Sequence, residues 1–103
     1  MAKIINSSEF DKEVSQGVVV VDFFATWCGP CKMLTPVFEE LSAELEGKAK
    51  FVKVDIDQSP DVASKFQVVN VPTLKVFKNG EVVKTLVGFR PKESLLSEIS
   101  DLI

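Results

Sequence analysis

The feature that most constrains the fold is the run VVVVDFF at residues 18–24, where β-branched and aromatic residues follow one another almost without interruption. Such a run is typical of a strand that is buried on both faces. After Cys28 the apolar residues recur at steps of three and four, which predicts a helix that Gly47 ends. A second strand is predicted at residues 50–56, and a strand–helix–strand unit of this kind pairs in parallel with a right-handed crossover.

The remaining segments add strands and helices around this unit. They are a strand at 3–5, a helix at 8–15, a helix capped by Ser59 that begins at Pro60, a hairpin at 73–87 that turns at Asn79-Gly80, and a C-terminal helix with an apolar stripe of Leu95, Leu96, Ile99, Leu102 and Ile103. Parallel units come first and an antiparallel hairpin comes last. The sequence therefore predicts an α/β fold with a mixed central sheet and helices on both faces, as one domain over residues 1–103.

Charge and hydropathy argue against two classes of protein. The net charge is −3 with acids and bases interspersed, whereas a general nucleic-acid binder would be basic. The longest apolar run, Val18 to Ala25, is interrupted by Asp22 and is too short to span a bilayer, so no membrane association is expected. The first ten residues lack the apolar core of a signal peptide, which predicts a cytoplasmic protein; a chain from which a leader had been removed would look the same.

The two cysteines, Cys28 and Cys31, lie three residues apart in ATWCGPCKM, and three explanations for the pair compete. A structural cross-link is disfavoured, because closing a four-residue loop stabilises the fold by only about 1.9 kcal/mol and cytosolic chains are kept reduced. A metal site is disfavoured further, because structural zinc needs four ligands and the chain has no histidine, so that only a site shared between subunits would complete the set. A redox pair is the favoured interpretation.

The position of the pair supports redox chemistry. The predicted helix begins at Cys28, where unpaired backbone N–H groups and the helix dipole favour a thiolate. Pro30 occupies a first-turn position where its missing N–H costs nothing, and Gly29 is expected to leave the Cys28 sulfur uncovered. A thiolate at Cys28 can attack a disulfide and then be released by attack from its neighbour, Cys31.

Two charged residues in the predicted strands have competing interpretations. Asp22 interrupts the apolar strand six residues before Cys28, and an exposed strand end is one explanation. The apolar residues on both sides favour instead a buried carboxyl, whose raised pKa would make it a usable base near neutral pH. Lys53 alternates with Val52 and Val54, so that the sequence alone favours a solvated position for its side chain.

The segment WCGPCK at 27–32, preceded by VVVVDFFAT, resembles the active site of the thioredoxin family. The segments VDIDQSP, VPTLKVFKNGE and LVGF follow in the order and spacing of that family, so that the resemblance covers essentially the whole chain. It implies a thioredoxin fold, three-layer α/β/α with a five-stranded mixed sheet and four helices. It also implies a protein-disulfide reductase that keeps cytosolic thiols reduced; since the chain has no glycine-rich phosphate loop, no cofactor is expected.

The resemblance assigns further roles by position. Asp22 matches the residue that accepts the proton of the second cysteine, here Cys31, and Lys53 matches a lysine that lies beside that carboxyl and tunes it. Trp27 is expected to flank the pair, and the peptide bond before Pro72 is expected to be cis.

The same resemblance implies a substrate-binding surface around the cysteines. Val71 is expected to lend backbone hydrogen bonds to a bound peptide, and Gly88 to let that peptide come close. The other expected members of this surface are Trp27, Gly29, Pro30 and Pro72. Four residues depart from what is common in the family and leave partner preference open: Phe24, Thr26, Asn70 and Phe89.

The absence of histidine bears on the direction of electron flow. The reduction potential is about −270 mV for thioredoxin and about −120 mV for a thiol oxidase that has a histidine between its cysteines. For a two-electron couple this difference in potential corresponds to about 7 kcal/mol. A histidine between the cysteines could stabilise the Cys28 thiolate, and the sequence has Gly-Pro there, which predicts a reductant.

The resemblance implies that thioredoxin reductase recharges a monomeric carrier. The implied targets are disulfide-containing proteins such as ribonucleotide reductase, methionine sulfoxide reductase and peroxiredoxins. The alternative is a binding module of the same fold, whose Trp27–Val71–Phe89 face docks a partner.

Overall fold

Five strands form one sheet in the computed structural model, which describes residues 2–103. They are β1 (Lys3–Ile4), β2 (Val18–Phe24), β3 (Lys50–Asp55), β4 (Thr73–Lys78) and β5 (Glu81–Val87). Their order across the sheet is β1-β3-β2-β4-β5, which puts β2 in the centre. Strands β1 and β2 pair in parallel with β3, whereas β4 pairs antiparallel with β2 and β5, so the predicted mixed sheet is confirmed.

Helices cover both faces of this sheet. They are α1 (Ser7–Val14), α2 (Gly29–Glu44), α3 (Pro60–Lys65) and α4 (Lys92–Ile99), and a 3-10 turn at Ser100–Leu102 follows α4. Phe10 of α1 and Val62 of α3 belong to the core on one face, and Phe38 of α2 and Leu95 of α4 belong to the core on the other. The predicted three-layer α/β/α arrangement is confirmed. No helix within residues 2–103 has the length and hydropathy needed to cross a membrane.

Strand β2 is buried on both faces, as its apolar run predicts. Val19, Val21 and Phe23 join the core beneath α1 and α3, and Val20 joins the core beneath α2 and α4. Because side chains alternate along a strand, Asp22 lies on the same face as Val20, beneath α2. The central strand therefore carries a carboxyl into the interior close to the start of α2.

The hairpin between β4 and β5 turns at the predicted pair. Asn79 and Gly80 have φ values of 50° and 88°, and two consecutive positive φ values define the type I′ turn. The Asn79 side chain also accepts a hydrogen bond from the backbone N–H of Gly17 over 2.9 Å, which ties the turn to the segment before β2.

The ends of two helices differ from prediction for local reasons. Helix α1 begins at Ser7, because Asn6 caps it: the Asn6 side chain accepts the Glu9 N–H, and the Glu9 carboxylate accepts the Asn6 N–H. Helix α2 ends at Glu44, and Gly47 lies in the turn that follows, with a φ of +84°.

The structure also differs from prediction at two strand ends, at one helix cap and at the C-terminal residue. Strands β1 and β3 end at Ile4 and Asp55, each one residue earlier than predicted. Ser59 precedes α3 at the predicted position, but its hydroxyl makes no capping hydrogen bond. Ile103 is exposed, because the 3-10 turn after α4 carries it off the apolar stripe.

Candidate active site

The two cysteines lie where the chain passes from β2 into α2. Cys28 is the N-cap residue, with extended backbone, and Gly29 and Pro30 begin the helix. Proline suits this first turn because its missing N–H would have had no intrahelical partner. Cys31 follows as the third helical residue and forms a disulfide with Cys28, the two Cα atoms being 5.2 Å apart.

The sulfur of Cys28 receives a hydrogen bond from the helix itself. The backbone N–H of Cys31 donates to Cys28 Sγ over 3.1 Å, as the side chain of an N-cap residue commonly accepts. When the disulfide is reduced, this donor and the positive end of the helix dipole favour negative charge on Cys28. The geometry thus distinguishes the two sulfurs electrostatically.

Burial does not distinguish the two cysteines, and the expectation of an uncovered Cys28 was wrong. Cys28 is 5% exposed and Cys31 3% exposed. Val71 contributes to this burial, because it packs against the pair and its carbonyl oxygen lies 3.6 Å from Cys28 Sγ.

Asp22 is fully buried, as the apolar flanks of the strand predict. It is 0% exposed, and neither carboxylate oxygen accepts a hydrogen bond from any residue of 2–103. Burial raises its pKa to about 7, against a smaller lowering by the ammonium of Lys53. A carboxyl with a pKa in this range can take up and release a proton at neutral pH.

Lys53 is buried, so the expectation of a solvated side chain was wrong. It is 8% exposed, on a strand that lies between β1 and β2. In the register of the parallel strands it stands beside Asp22. Its Nζ lies 4.6 Å from the centroid of the Phe24 ring. The polar–apolar alternation of β3 indicated that Lys53 lies on the opposite face from Val52 and Val54. It could not show that this face of the sheet is covered as well.

Trp27 lies on the surface next to the pair, with 68% of its area exposed. Its indole N–H donates to Asp57 Oδ2 over 2.8 Å. Sequence reasoning assigned no role to Asp57. The signal was present, because β2 and β3 run in parallel and the residues that follow their carboxyl ends, Trp27 and Asp57, meet at one edge of the sheet.

The segment before β4 completes the surroundings of the cysteines. The Val71–Pro72 peptide bond is cis, as expected. The backbone N–H of Gly88 donates to the Pro72 carbonyl over 2.8 Å, which holds the segment after β5 beside it. Gly88 has a φ of +95°, a conformation that favours glycine.

The cysteine pair and Asp22 are nearly covered, and an open surface cleft lies elsewhere on the protein. An open cleft of about 490 Å³ is lined by Val18 and Lys50, at the opposite ends of β2 and β3 from the cysteines. Within residues 2–103 no three His, Cys, Asp or Glu side chains converge to hold a metal ion.

A disulfide across the first turn of a helix cross-links almost no chain, whereas the hydrogen bond to Cys28 Sγ and the buried carboxyl of Asp22 on the preceding strand suit reversible two-electron exchange. The class of protein that this arrangement defines is the thiol–disulfide oxidoreductase.

Comparison with known proteins places the chain within that class. The profile of the family described as Thioredoxin matches residues 1–101. Proteins named "Thioredoxin" from Staphylococcus aureus strains Mu50, MW2 and COL are each 53% identical over 97 residues, covering 94% of this chain and 92% of the relative. The chain belongs to the thioredoxin family. Its Cys28–Cys31 pair is the redox-active pair, and membership implies disulfide-containing targets and a reductase partner.

Proposed function

We propose that this protein reduces protein disulfides, with Cys28 as the nucleophile and Cys31 as the resolving thiol. The observation that carries this assignment is the hydrogen bond from the Cys31 N–H to Cys28 Sγ, because it stabilises a thiolate at Cys28 alone. The Gly-Pro dipeptide between the cysteines, with no histidine, supports reduction as the direction of the reaction.

The reaction then has two exchange steps. The Cys28 thiolate attacks one sulfur of the target disulfide, forms a mixed disulfide and releases the other target sulfur as a thiolate. Asp22 accepts the proton of the Cys31 thiol, and the new thiolate attacks Cys28 Sγ. The Cys28–Cys31 disulfide forms, the mixed disulfide breaks, and the second target thiolate leaves. Two electrons have passed to the target, which takes up two protons, and a separate reductase returns two electrons to the pair.

A shallow surface around Cys28 is proposed to bind the target chain. Val71 contributes its backbone beside Cys28 Sγ. At Gly88 a Cβ would project into open space, so the absence of a side chain leaves this space to the backbone of an approaching target. Trp27 is exposed and its ring orientation is held by Asp57. Gly29, Pro30 and Pro72 complete the proposed surface.

Family membership supports a proposal of specific partners. We expect thioredoxin reductase as the electron donor, and ribonucleotide reductase, methionine sulfoxide reductase and peroxiredoxins as targets. A single domain of residues 1–103 that acts as a cytoplasmic monomer fits this carrier role. We expect it to bind no nucleic acid, membrane, cofactor or metal.

The test is reduction of insulin disulfides by the purified protein with thioredoxin reductase and NADPH. Wild type should turn over, and Cys28→Ser should not. Cys31→Ser should accumulate a mixed disulfide with insulin. If the Cys28→Ser, Cys31→Ser double variant replaces the wild-type protein in a cell, the chain serves as a binding module and the proposal is wrong.

A further inference from the structure

Phe24, the last residue of β2, contacts two parts of the site. Its side chain packs against the cluster that contains Cys28 and Cys31. Lys53 Nζ lies over the face of the Phe24 ring, 4.6 Å from the ring centroid, which is within the range of a cation–π interaction. No other aromatic ring of residues 2–103 stands in such a relation to this ammonium.

The ammonium of Lys53 has no carboxylate partner that would hold it in place. It makes no ion pair with any acid of residues 2–103, although its strand position is beside Asp22. A lysine side chain loses rotamer freedom when it is held in one conformation, so an ammonium that stays on the side of Asp22 needs an attractive contact. The ring of Phe24 is such a contact.

Few charged groups face Asp22 from the surrounding elements. In the sheet, β3 places Lys53 beside it and β4 places Leu74 beside it. The buried residues of α2 are Cys31, Leu34, Phe38 and Leu41, none of which carries a charge, and the cysteine pair does not titrate while oxidised. Lys53 is therefore the charge that acts on Asp22.

We propose that Phe24 is a positioning residue for the exchange reaction, whose ring keeps the Lys53 ammonium from turning away from Asp22, so that the charge of the ammonium stabilises the Asp22 carboxylate. The catalytic consequence rests on the proposed function, in which Asp22 accepts the Cys31 proton. Without the ring, the ammonium turns outward to water, because forming a direct ion pair with the buried carboxylate would require it to lose its hydration.

The direct test is titration of Asp22 by carboxyl ¹³C NMR in the oxidised protein, where the cysteines do not interfere. Phe24→Leu, which keeps apolar volume and removes the ring, should raise the pKa of Asp22 by about 0.5. Phe24→Tyr keeps the aromatic face and should restore the wild-type value. The matched control is Phe66→Leu, which removes the contact between the exposed Lys65 and a ring that packs against the core beneath α1 and α3. It should leave the pKa of Asp22 unchanged.

A double-variant cycle separates positioning from packing. Lys53→Met should itself raise the pKa of Asp22, and adding Phe24→Leu should then change it no further. The proposal is overturned if Phe24→Leu leaves the pKa unchanged or lowers it, or if it raises the pKa equally in the Lys53→Met background.

A kinetic measurement distinguishes this proposal from the proposed function. The pH profile for resolution of a mixed disulfide should shift upward in Phe24→Leu together with the titration of Asp22. If the titration shifts and the profile does not, Phe24 positions Lys53 as proposed, but Asp22 is not the proton acceptor. If neither shifts, the positioning role is wrong whatever accepts the proton.

Discussion

Asp22 and Lys53 occupy paired positions on the parallel strands β2 and β3, and both residues are buried. No direct ion pair joins them, so the positive charge offsets only part of the desolvation of the carboxyl. The result is a carboxyl that changes its charge near neutral pH inside a small protein. Its ionisation has consequences for stability as well as for catalysis, and these can be measured separately.

Asp22→Asn should raise stability at pH 8 more than at pH 4. The folded-state pKa of about 7 exceeds the reference value of 3.8, so the folded protein favours protonated Asp22. The destabilisation is absent below the unfolded-state pKa, grows as pH rises, and levels off above the folded-state pKa. At about 1.36 kcal/mol for each pH unit of difference, the full effect is at most about 4 kcal/mol. Urea denaturation at the two pH values measures it.

The exposed Asp101→Asn variant serves as the control and should change stability little at either pH. An Asp22→Asn protein that is less stable than wild type at pH 8 would contradict the assignment of a desolvated carboxyl. The same variant should slow resolution of a mixed disulfide, since Cys31 would lose its proton acceptor.

The two thiols of the reduced protein should differ in reactivity. Cys28 should be alkylated by iodoacetamide near neutral pH much faster than Cys31, because the backbone N–H of Cys31 and the helix dipole stabilise the thiolate of Cys28. The near-equal burial of the two residues makes this an electrostatic effect. Peptide mapping after brief labelling gives the rates, and equal rates would contradict the assignment of nucleophile and resolving thiol.

Asp57→Ala should release the Trp27 ring and weaken target binding. Loss of one hydrogen bond at this exposed position should raise KM for a protein disulfide by up to about fivefold. Trp27 is the single tryptophan, so its fluorescence reports the change directly. Asp57→Asn keeps an acceptor oxygen and should behave like wild type. Unchanged fluorescence and KM in Asp57→Ala would show that the contact does not position the ring.

Gln67→Gly should stabilise the protein by about 1 kcal/mol. Gln67 has a φ of 55° at the end of α3, where its N–H bonds the Ser64 carbonyl and the Val68 N–H bonds the Ala63 carbonyl. This pairing is a Schellman motif, in which the left-handed position favours glycine. Gln67→Ala retains a Cβ and should gain nothing, so a thermal unfolding comparison of the two variants isolates the backbone effect.

Local patterns were sufficient for the elements that carry the cysteines. The uninterrupted run of β2 and the three- and four-residue spacing of α2 predicted both elements, and Pro30 indicated the start of the helix. Asp22 could be recognised as buried because its neighbours in sequence are apolar on both sides. In each case the signal lies within one strand or one helix, where the period of the backbone decides which face a residue occupies.

Contacts between distant segments could not be predicted in this way. Lys53 alternates like a solvated residue, and only the ring of Phe24 and the strands on either side show that its face is covered. Part of the burial of Cys28 comes from Val71, which lies 43 residues away in the chain. The sequence by itself determined the strand, the helix and the chemistry of the cysteine pair, because these depend on backbone period and residue type. The tertiary structure decided which groups surround that pair, because burial and electrostatic environment depend on which segments pack together.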